Sequence, residues 1–301
     1  MGWKGRDIIA IRDFSKAELF DVLDAAQQFE VNTEPILQGK VLASCFFEPS
    51  TRTRLSFEAA MHKLGGRVIG FSEAASTSQA KGESLHDTIK VIGSYADVLV
   101  MRHPQAGAAK IAADASSVPV INAGDGPNEH PTQTFVDLYT IRKLKGKFDG
   151  LNIGFIGDLK YGRTVHSLAR ALKNFKVNLF FISPQSLAMP EELISELAGI
   201  NLIQTPDLQK VLPQLDILYA TRIQKERFPT LQDYNTVRHS YCLDRNILLK
   251  AKPELRIMHP LPRVDELHPE LDQLQHAVYF EQAANGIPVR QALLSLVIGK
   301  V

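Results

Sequence analysis

The strongest constraint on this fold is a rhythm. Continuous apolar runs of strand length recur along the chain, separated by segments of helical period. The runs are Val41–Phe47, Val68–Phe71, Asp97–Met101 and Val118–Asn122, then Leu151–Ile156, Val177–Ser183, Asn201–Gln204 and Leu215–Ala220. Strands that are apolar throughout belong in a parallel sheet covered by helices on both faces. The intervening helices are expected at Arg54–Leu64, Leu85–Tyr95, Ala106–Ala115, Pro131–Lys145, Thr164–Phe175 and Pro190–Leu197. An earlier helix should begin at Ser15, where Glu18 completes a capping-box pattern and Leu19, Val22, Leu23 and Ala26 keep the helical period. Ser72–Gly82 is small, polar and unpatterned, and reads as a loop. The short apolar pieces Leu255–Met258 and Val278–Phe280 precede an amphipathic helix near Ile287–Ile298.

A chain of 301 residues is long for one core, and the alternation restarts after Gly146 and Gly150. The fold class is therefore α/β, with two doubly wound parallel-sheet domains joined by helices. The expected boundaries are residues 1–130 and 146–284, with a linking helix at 131–145. The C-terminal helix, about 285–301, is expected to pack back on the first domain.

Charge narrows the partners. The net charge is +1, with 22% charged and 45% hydrophobic residues, so no basic excess argues for a nucleic-acid or membrane surface. No apolar run is long enough to span a bilayer, and the N-terminus has no signal-peptide core. Arg6 occupies the position where a myristoylation signal needs Ser or Thr. Cys45 and Cys242 are too far apart for a metal or redox motif, and Cys45 lies within a strand, where it reads as core. A reduced, cytoplasmic protein is expected.

In open α/β sheets ligands bind at the carboxyl ends of the strands, and six of those ends carry polar clusters. The first is Glu48-Pro49-Ser50-Thr51-Arg52-Thr53-Arg54, where a helix begins on three hydroxyls and an arginine. One hydroxyl suffices for a cap; several around an arginine make a dianion cradle, most simply for phosphate. The others are Arg102-His103-Pro104, Asp125-Gly126 with His130-Pro131-Thr132-Gln133, Gly157-Asp158 through Arg163, Thr221-Arg222-Ile223-Gln224, and His259-Pro260-Leu261-Pro262-Arg263. Polar loops are ordinary at strand ends. Five of the six carry arginine, the residue suited to bidentate carboxylate or phosphate recognition.

Together these motifs resemble the aspartate/ornithine transcarbamoylase family, over essentially the whole chain and in the right order. The first motif and His-Pro-Thr-Gln-Thr are common to both branches. Thr-Arg-Ile-Gln-Lys-Glu-Arg and His-Pro-Leu-Pro-Arg are those of the aspartate branch. The resemblance implies attack of the aspartate amine on carbamoyl phosphate, an early step of pyrimidine synthesis, with no metal, cofactor or covalent enzyme intermediate. It implies that Ser50, Thr51, Arg52 and Thr53 hold the phosphate, and that Thr53, Arg102 and His130 donate to the carbonyl oxygen. Gln133 and the carbonyls of Leu261 and Pro262, joined by a cis peptide, would hold the carbamoyl amide. Arg163, Arg222 and Gln224 would bind the aspartate carboxylates. Ser78 and Lys81 would reach the neighbouring subunit of a homotrimer, and a separate regulatory chain, in a dodecamer of six catalytic and six regulatory chains, is a further family partner. Closure of the two domains on the substrates is also expected. His103 and His259 have no family role and read as backbone-positioning residues.

Rival readings fare worse. Gly154, Gly157 and Gly162 do not have dinucleotide-fingerprint spacing, and no acidic residue closes the strand Val177–Ser183. No phosphate-binding P-loop sequence occurs. A non-catalytic anion-binding protein would not need His130 and Gln133 beside the cradle. Ornithine, with its second positive charge, is disfavoured as acceptor by Arg163 and Arg222.

Overall fold

The structure is a computed structural model that describes residues 2–74, 77–223, 228, 230–237 and 241–301. The chain divides into two units, Met1–Tyr139 with Ala284–Val301, and Thr140–Ala283. Both are built on sheets whose paired strands are all parallel.

In the first unit β1 (Val41–Phe46), β2 (Arg67–Phe71), β3 (Val98–His103) and β4 (Val120–Asp125) lie in the order β2-β1-β3-β4. Alternation sorts the side chains. Ala43, Cys45, Leu99 and Met101 pack with Ile89 of α3 (Leu85–Gly93) and Ala108, Ala109 and Ala112 of α4 (Ala108–Ala115). Leu42, Phe46, Val98 and Val100 are equally buried, and α2 (Thr51–Lys63) lies against β1 and β2. The helix α1 (Lys16–Val31) starts with the expected capping box, in which Ser15 N donates to Glu18 Oε2 at 2.8 Å and Glu18 N to Ser15 Oγ at 3.4 Å. Cys45 is core, and burial pushes its thiol up to about 12.

The second unit has β5 (Asn152–Ile156), β6 (Asn178–Ile182), β7 (Asn201–Thr205), β8 (Ile217–Ala220) and β9 (Arg256–Met258), ordered β7-β6-β5-β8-β9. One set of strand residues, including Ile156, Phe180, Ile182, Leu218 and Ile257, packs with Leu208, Val211, Leu212 and Leu215. The alternate set includes Phe155, whose ring lies 5.7 Å from those of Phe181 and Tyr219. The helix α5 (Pro131–Lys145) contains the division between the units, α6 (Arg163–Leu172) follows β5, and α7 (Glu191–Glu196), α8 (Leu208–Val211) and α9 (Leu231–Val237) come later in the second unit.

Several expectations change. β3 runs to His103 and β4 to Asp125, beyond the apolar runs. The neighbouring backbone explains this: Phe46 pairs with Arg102, Phe47 N donates to Arg102 O, and Gly126 N donates to His103 O. A parallel ladder needs partners, not apolar side chains. The supposed loop Ser72–Gly82 contains a single-turn 3₁₀ helix at Ser78–Lys81. At the short apolar piece Val278–Phe280, Val278 N donates to Ile257 O, and the chain then turns into the short helix α10 (Tyr279–Ala284). The last helix, α11 (Gly286–Ile298), is buried on every side rather than amphipathic, because it packs against both α1 and α2.

Candidate active site

Strand order alone marks where ligands belong. In the first unit the chain leaves β1 toward β2 on one side and toward β3 on the other, so the switch point lies between the carboxyl ends of β1 and β3. The cradle Ser50–Thr53 follows β1, and Arg102 sits at the end of β3. Ser50 is the N-cap of α2, yet its side chain makes no capping hydrogen bond. Its Oγ instead lies 3.4 Å from Arg102 Nη1. The first-turn N–H groups of α2 therefore remain without a side-chain cap from Ser50. Thr53 is buried, and Ser50 is half-buried.

Two guanidiniums meet at this point. Arg102 Nε donates to Glu48 Oε1 at 2.6 Å. Arg52, exposed in the first turn of α2, pairs with no carboxylate among the described residues, and its pKa is pulled below its usual value by partial desolvation and then by the positive charge of Arg102. Like charges brought near each other repel, and an anion bound between them relieves that repulsion. Arg54, by contrast, is scaffold: its Nη1 donates to Glu58 Oε1 at 3.2 Å, which also accepts from Ser44 Oγ at 3.0 Å.

His130 is buried at the start of α5, where its carbonyl accepts the first helical N–H bonds from Gln133 and Thr134. Its Nδ1 lies 3.4 Å from Thr132 Oγ1. Gln133 Nε2 donates to Asp137 Oδ1 at 2.8 Å. Ser78 and Lys81 lie exposed on the 3₁₀ turn. His103 does position backbone: its Nδ1 accepts from Gln105 N at 3.1 Å, and burial lowers its pKa against the opposing pull of Glu48 and Asp125.

In the second unit the switch point lies between β5 and β8. Gly157 follows β5 with φ of +116°, and a Cβ there would lie 2.1 Å from Thr221 O. Only glycine permits that approach, which brings the two strand-end loops together. Arg163 opens α6 after Gly162, half-buried. Arg222, also half-buried, follows Thr221 at the end of β8. Gln224 lies outside the described residues. After β9, Leu261–Pro262 is cis, with Leu261 at φ +49°. The loop is tied from within: His259 Nδ1 accepts from Leu261 N at 2.8 Å, while Nε2 meets Glu266 Oε1 at 2.7 Å. A ring nitrogen that accepts is unprotonated, so His259 is the neutral tautomer carrying its proton toward Glu266. Glu266 also accepts from Val264 N at 3.2 Å, and His259 N donates to Gln282 Oε1 at 2.8 Å. Arg263 is not aimed at a ligand: Asp272 grips it through both oxygens, and Tyr279 Oη accepts a further bond at 3.0 Å.

Four supporting residues escaped the sequence reading: Glu48, Asp137, Arg290 and Glu266. Glu48 stood inside the quoted motif, and Asp137 lies four residues after Gln133 on one helix face, a legible pairing. Arg290 and Glu266 are brought in by tertiary packing and had no local signal. Among the described residues no cluster of His, Cys, Asp and Glu could hold a metal, and no helix is long and apolar enough to cross a membrane.

The geometry thus defines a two-unit α/β protein with arginines at both switch points. The chain belongs to the aspartate/ornithine carbamoyltransferase family. Residues 6–143 match the carbamoyl-P binding domain of that family and residues 149–297 its Asp/Orn binding domain. The aspartate carbamoyltransferase catalytic subunit of Thermococcus kodakarensis is 58% identical, with 99% of each chain covered. That of Chromobacterium violaceum is 51% identical, with 98% of each chain covered. Among solved structures, the catalytic subunit of M. jannaschii aspartate transcarbamoylase superposes with a TM-score of 0.91 at 48% identity, covering 98% of each chain. The Trypanosoma cruzi aspartate transcarbamoylase in complex with carbamoyl phosphate and aspartate gives 0.92 at 38% identity, also covering 98% of each chain.

Proposed function

We propose that this protein transfers the carbamoyl group of carbamoyl phosphate to the amine of L-aspartate, giving N-carbamoyl-L-aspartate and phosphate, early in de novo pyrimidine synthesis. The observation that carries the reading is the convergence of Arg52 and Arg102 on an N-terminus of α2 that Ser50 leaves uncapped. Full-length relatives named for the aspartate reaction support the choice of acceptor.

The roles follow from the chemistry. The leaving phosphate carries growing negative charge, so Ser50, Thr51, Arg52 and Thr53 hold it and Arg52 offsets the charge that develops. Thr53, Arg102 and His130 donate to the carbonyl oxygen as it becomes an oxyanion. Gln133 and the carbonyls of Leu261 and Pro262 accept from the carbamoyl amino group. Arg163, Arg222 and Gln224 take the two aspartate carboxylates, and fixing both partners removes much of the entropic barrier. The reaction as written balances without a redox partner.

Ser78 and Lys81 are proposed to act in the site of a neighbouring subunit of a homotrimer; their exposure on a short turn supports this. Docking of the trimers on a separate regulatory chain and a cytoplasmic location complete the reading. Two experiments test it. With carbamoyl phosphate and either aspartate or ornithine, phosphate release should depend on aspartate; release with ornithine alone would overturn the assignment. Mixed Lys81→Ala and Arg52→Ala trimers should recover activity on subunit exchange, and no recovery would refute site sharing.

A further inference from the structure

An amide side chain can present either of its ends, and Gln133 has its choice made from behind. Its Nε2 donates to Asp137 Oδ1 at 2.8 Å, one turn along α5. Asp137 is fully buried, and an ionised carboxylate only accepts. The amide nitrogen must therefore face Asp137, which leaves Oε1 as the end Gln133 offers elsewhere. The charge of Asp137 is felt in turn by Arg290 on α11. Arg290 is 4% exposed and lies over the Phe57 ring, 5.1 Å from its centroid. Burial pushes the guanidinium down to about 10, with Asp137 opposing the shift, so the guanidinium stays charged at neutral pH. Arg290 Nε finds no hydrogen-bond partner among the described residues. Opposite charges serving stability alone gain little from such burial, since apolar residues of similar volume do as well or better.

We propose that buried Asp137, its charge supported by buried Arg290, sets the polarity of the Gln133 amide, so that its carbonyl oxygen accepts from the substrate amino group. Carbamoyl phosphate is thereby selected over acyl phosphates that end in a methyl group. The inference rests on Gln133 meeting the carbamoyl group, as in the reading above. Asp137 and Arg290 touch no substrate; they are positioning residues acting through Gln133.

Asparagine at position 137 makes the sharpest test. Unlike a carboxylate, the asparagine amide can offer an NH₂ group to Gln133. Gln133 then reverses and presents its own NH₂ group to the substrate. The readout is the ratio of kcat/KM for carbamoyl phosphate to that for acetyl phosphate, with aspartate as acceptor. Inhibition by inorganic phosphate reports on the cradle. Asp137→Asn should lower the ratio by about tenfold or more, the worth of one hydrogen bond lost at a buried amide, and leave phosphate inhibition within about twofold. Should the single variant fail to fold, Asp137→Leu/Arg290→Met removes both charges in similar volume and should lower the ratio likewise. An unchanged ratio in either folded variant, where Gln133→Ala loses it, overturns the positioning role and spares the reading of Gln133. An unchanged ratio in Gln133→Ala overturns both.

Discussion

The strand ends of β1 and β3 and the loop after β9 use arginine in opposite ways. At the end of β1 and β3, Arg102 is bonded to Glu48, and the pKa of Arg52 falls, first through desolvation and then through the charge of Arg102. In the loop after β9, Arg263 is held by both oxygens of Asp272 and by Tyr279, and its pKa rises, chiefly through the hydrogen bond to Asp272. A guanidinium whose charge is disfavoured by its surroundings awaits an anion. One whose charge is favoured is already spent on the scaffold. The arginines look alike in sequence and differ only in what folding places beside them.

That contrast can be broken by mutation. The largest loss is expected from Arg52→Ala, on the order of 10³ in kcat/KM, because a charge-assisted contact to the leaving phosphate disappears. Steady-state kinetics with varied carbamoyl phosphate checks it, and inorganic phosphate should inhibit the variant far more weakly. Arg263→Ala should instead lower Tm, with phosphate inhibition unchanged. If the two variants lost phosphate affinity equally, the distinction between poised and spent arginines would fail.

His130→Ala should cost about 10²–10³ in kcat, the usual loss for one oxyanion donor, with phosphate inhibition little altered. Turnover near that of the unaltered protein would remove His130 from the oxyanion site and leave it as a buried residue at the start of α5. A smaller effect is expected from His259→Phe, which keeps the ring volume and deletes both the bond to Leu261 N and the contact with Glu266. With Leu261 freed, KM for carbamoyl phosphate should rise about tenfold, a loss of the size of one or two hydrogen bonds, while KM for aspartate changes less. Equal rises in both would show that the loop as a whole had unfolded.

Much of this was legible before folding. Parallel strands covered on both faces are apolar throughout, so the inner strands β1, β3, β5, β6 and β8 left a trace in composition. The capping box at Ser15 and Glu18 is local chemistry, and it was read to the residue. The cradle was legible for the same reason, since a helix start needs only nearby residues. What escaped was tertiary. Arg102 belongs to a strand because Phe47 supplies its backbone partner, which no window around Arg102 contains. The all-round burial of α11 depends on α1 and α2, and the charge coupling of Arg290 to Asp137 joins residues far apart in the chain. Periodicity sees one face of a helix; it cannot count how many neighbours arrive.

The smallest expected effect tests the scaffold class by pH. Arg6 pairs with Glu18, and that hydrogen bond, with help from Ser15 N, holds the Glu18 carboxyl down to about 2 from an ordinary 4.5. A depressed carboxylate adds stability that is complete above its unfolded pKa and is lost as pH falls through the folded value. The stability of the unaltered protein relative to Glu18→Gln should therefore be greatest above about pH 4.5, and should shrink between there and about pH 2. Chemical denaturation across that window measures the difference. Activity near neutral pH should be unchanged in Glu18→Gln, because a spent arginine contributes nothing to the phosphate. A constant stability difference across the window would mean that the pair persists in the unfolded chain or never forms in the folded one. A drop in phosphate affinity would mean that Arg6, too, had been poised for an anion.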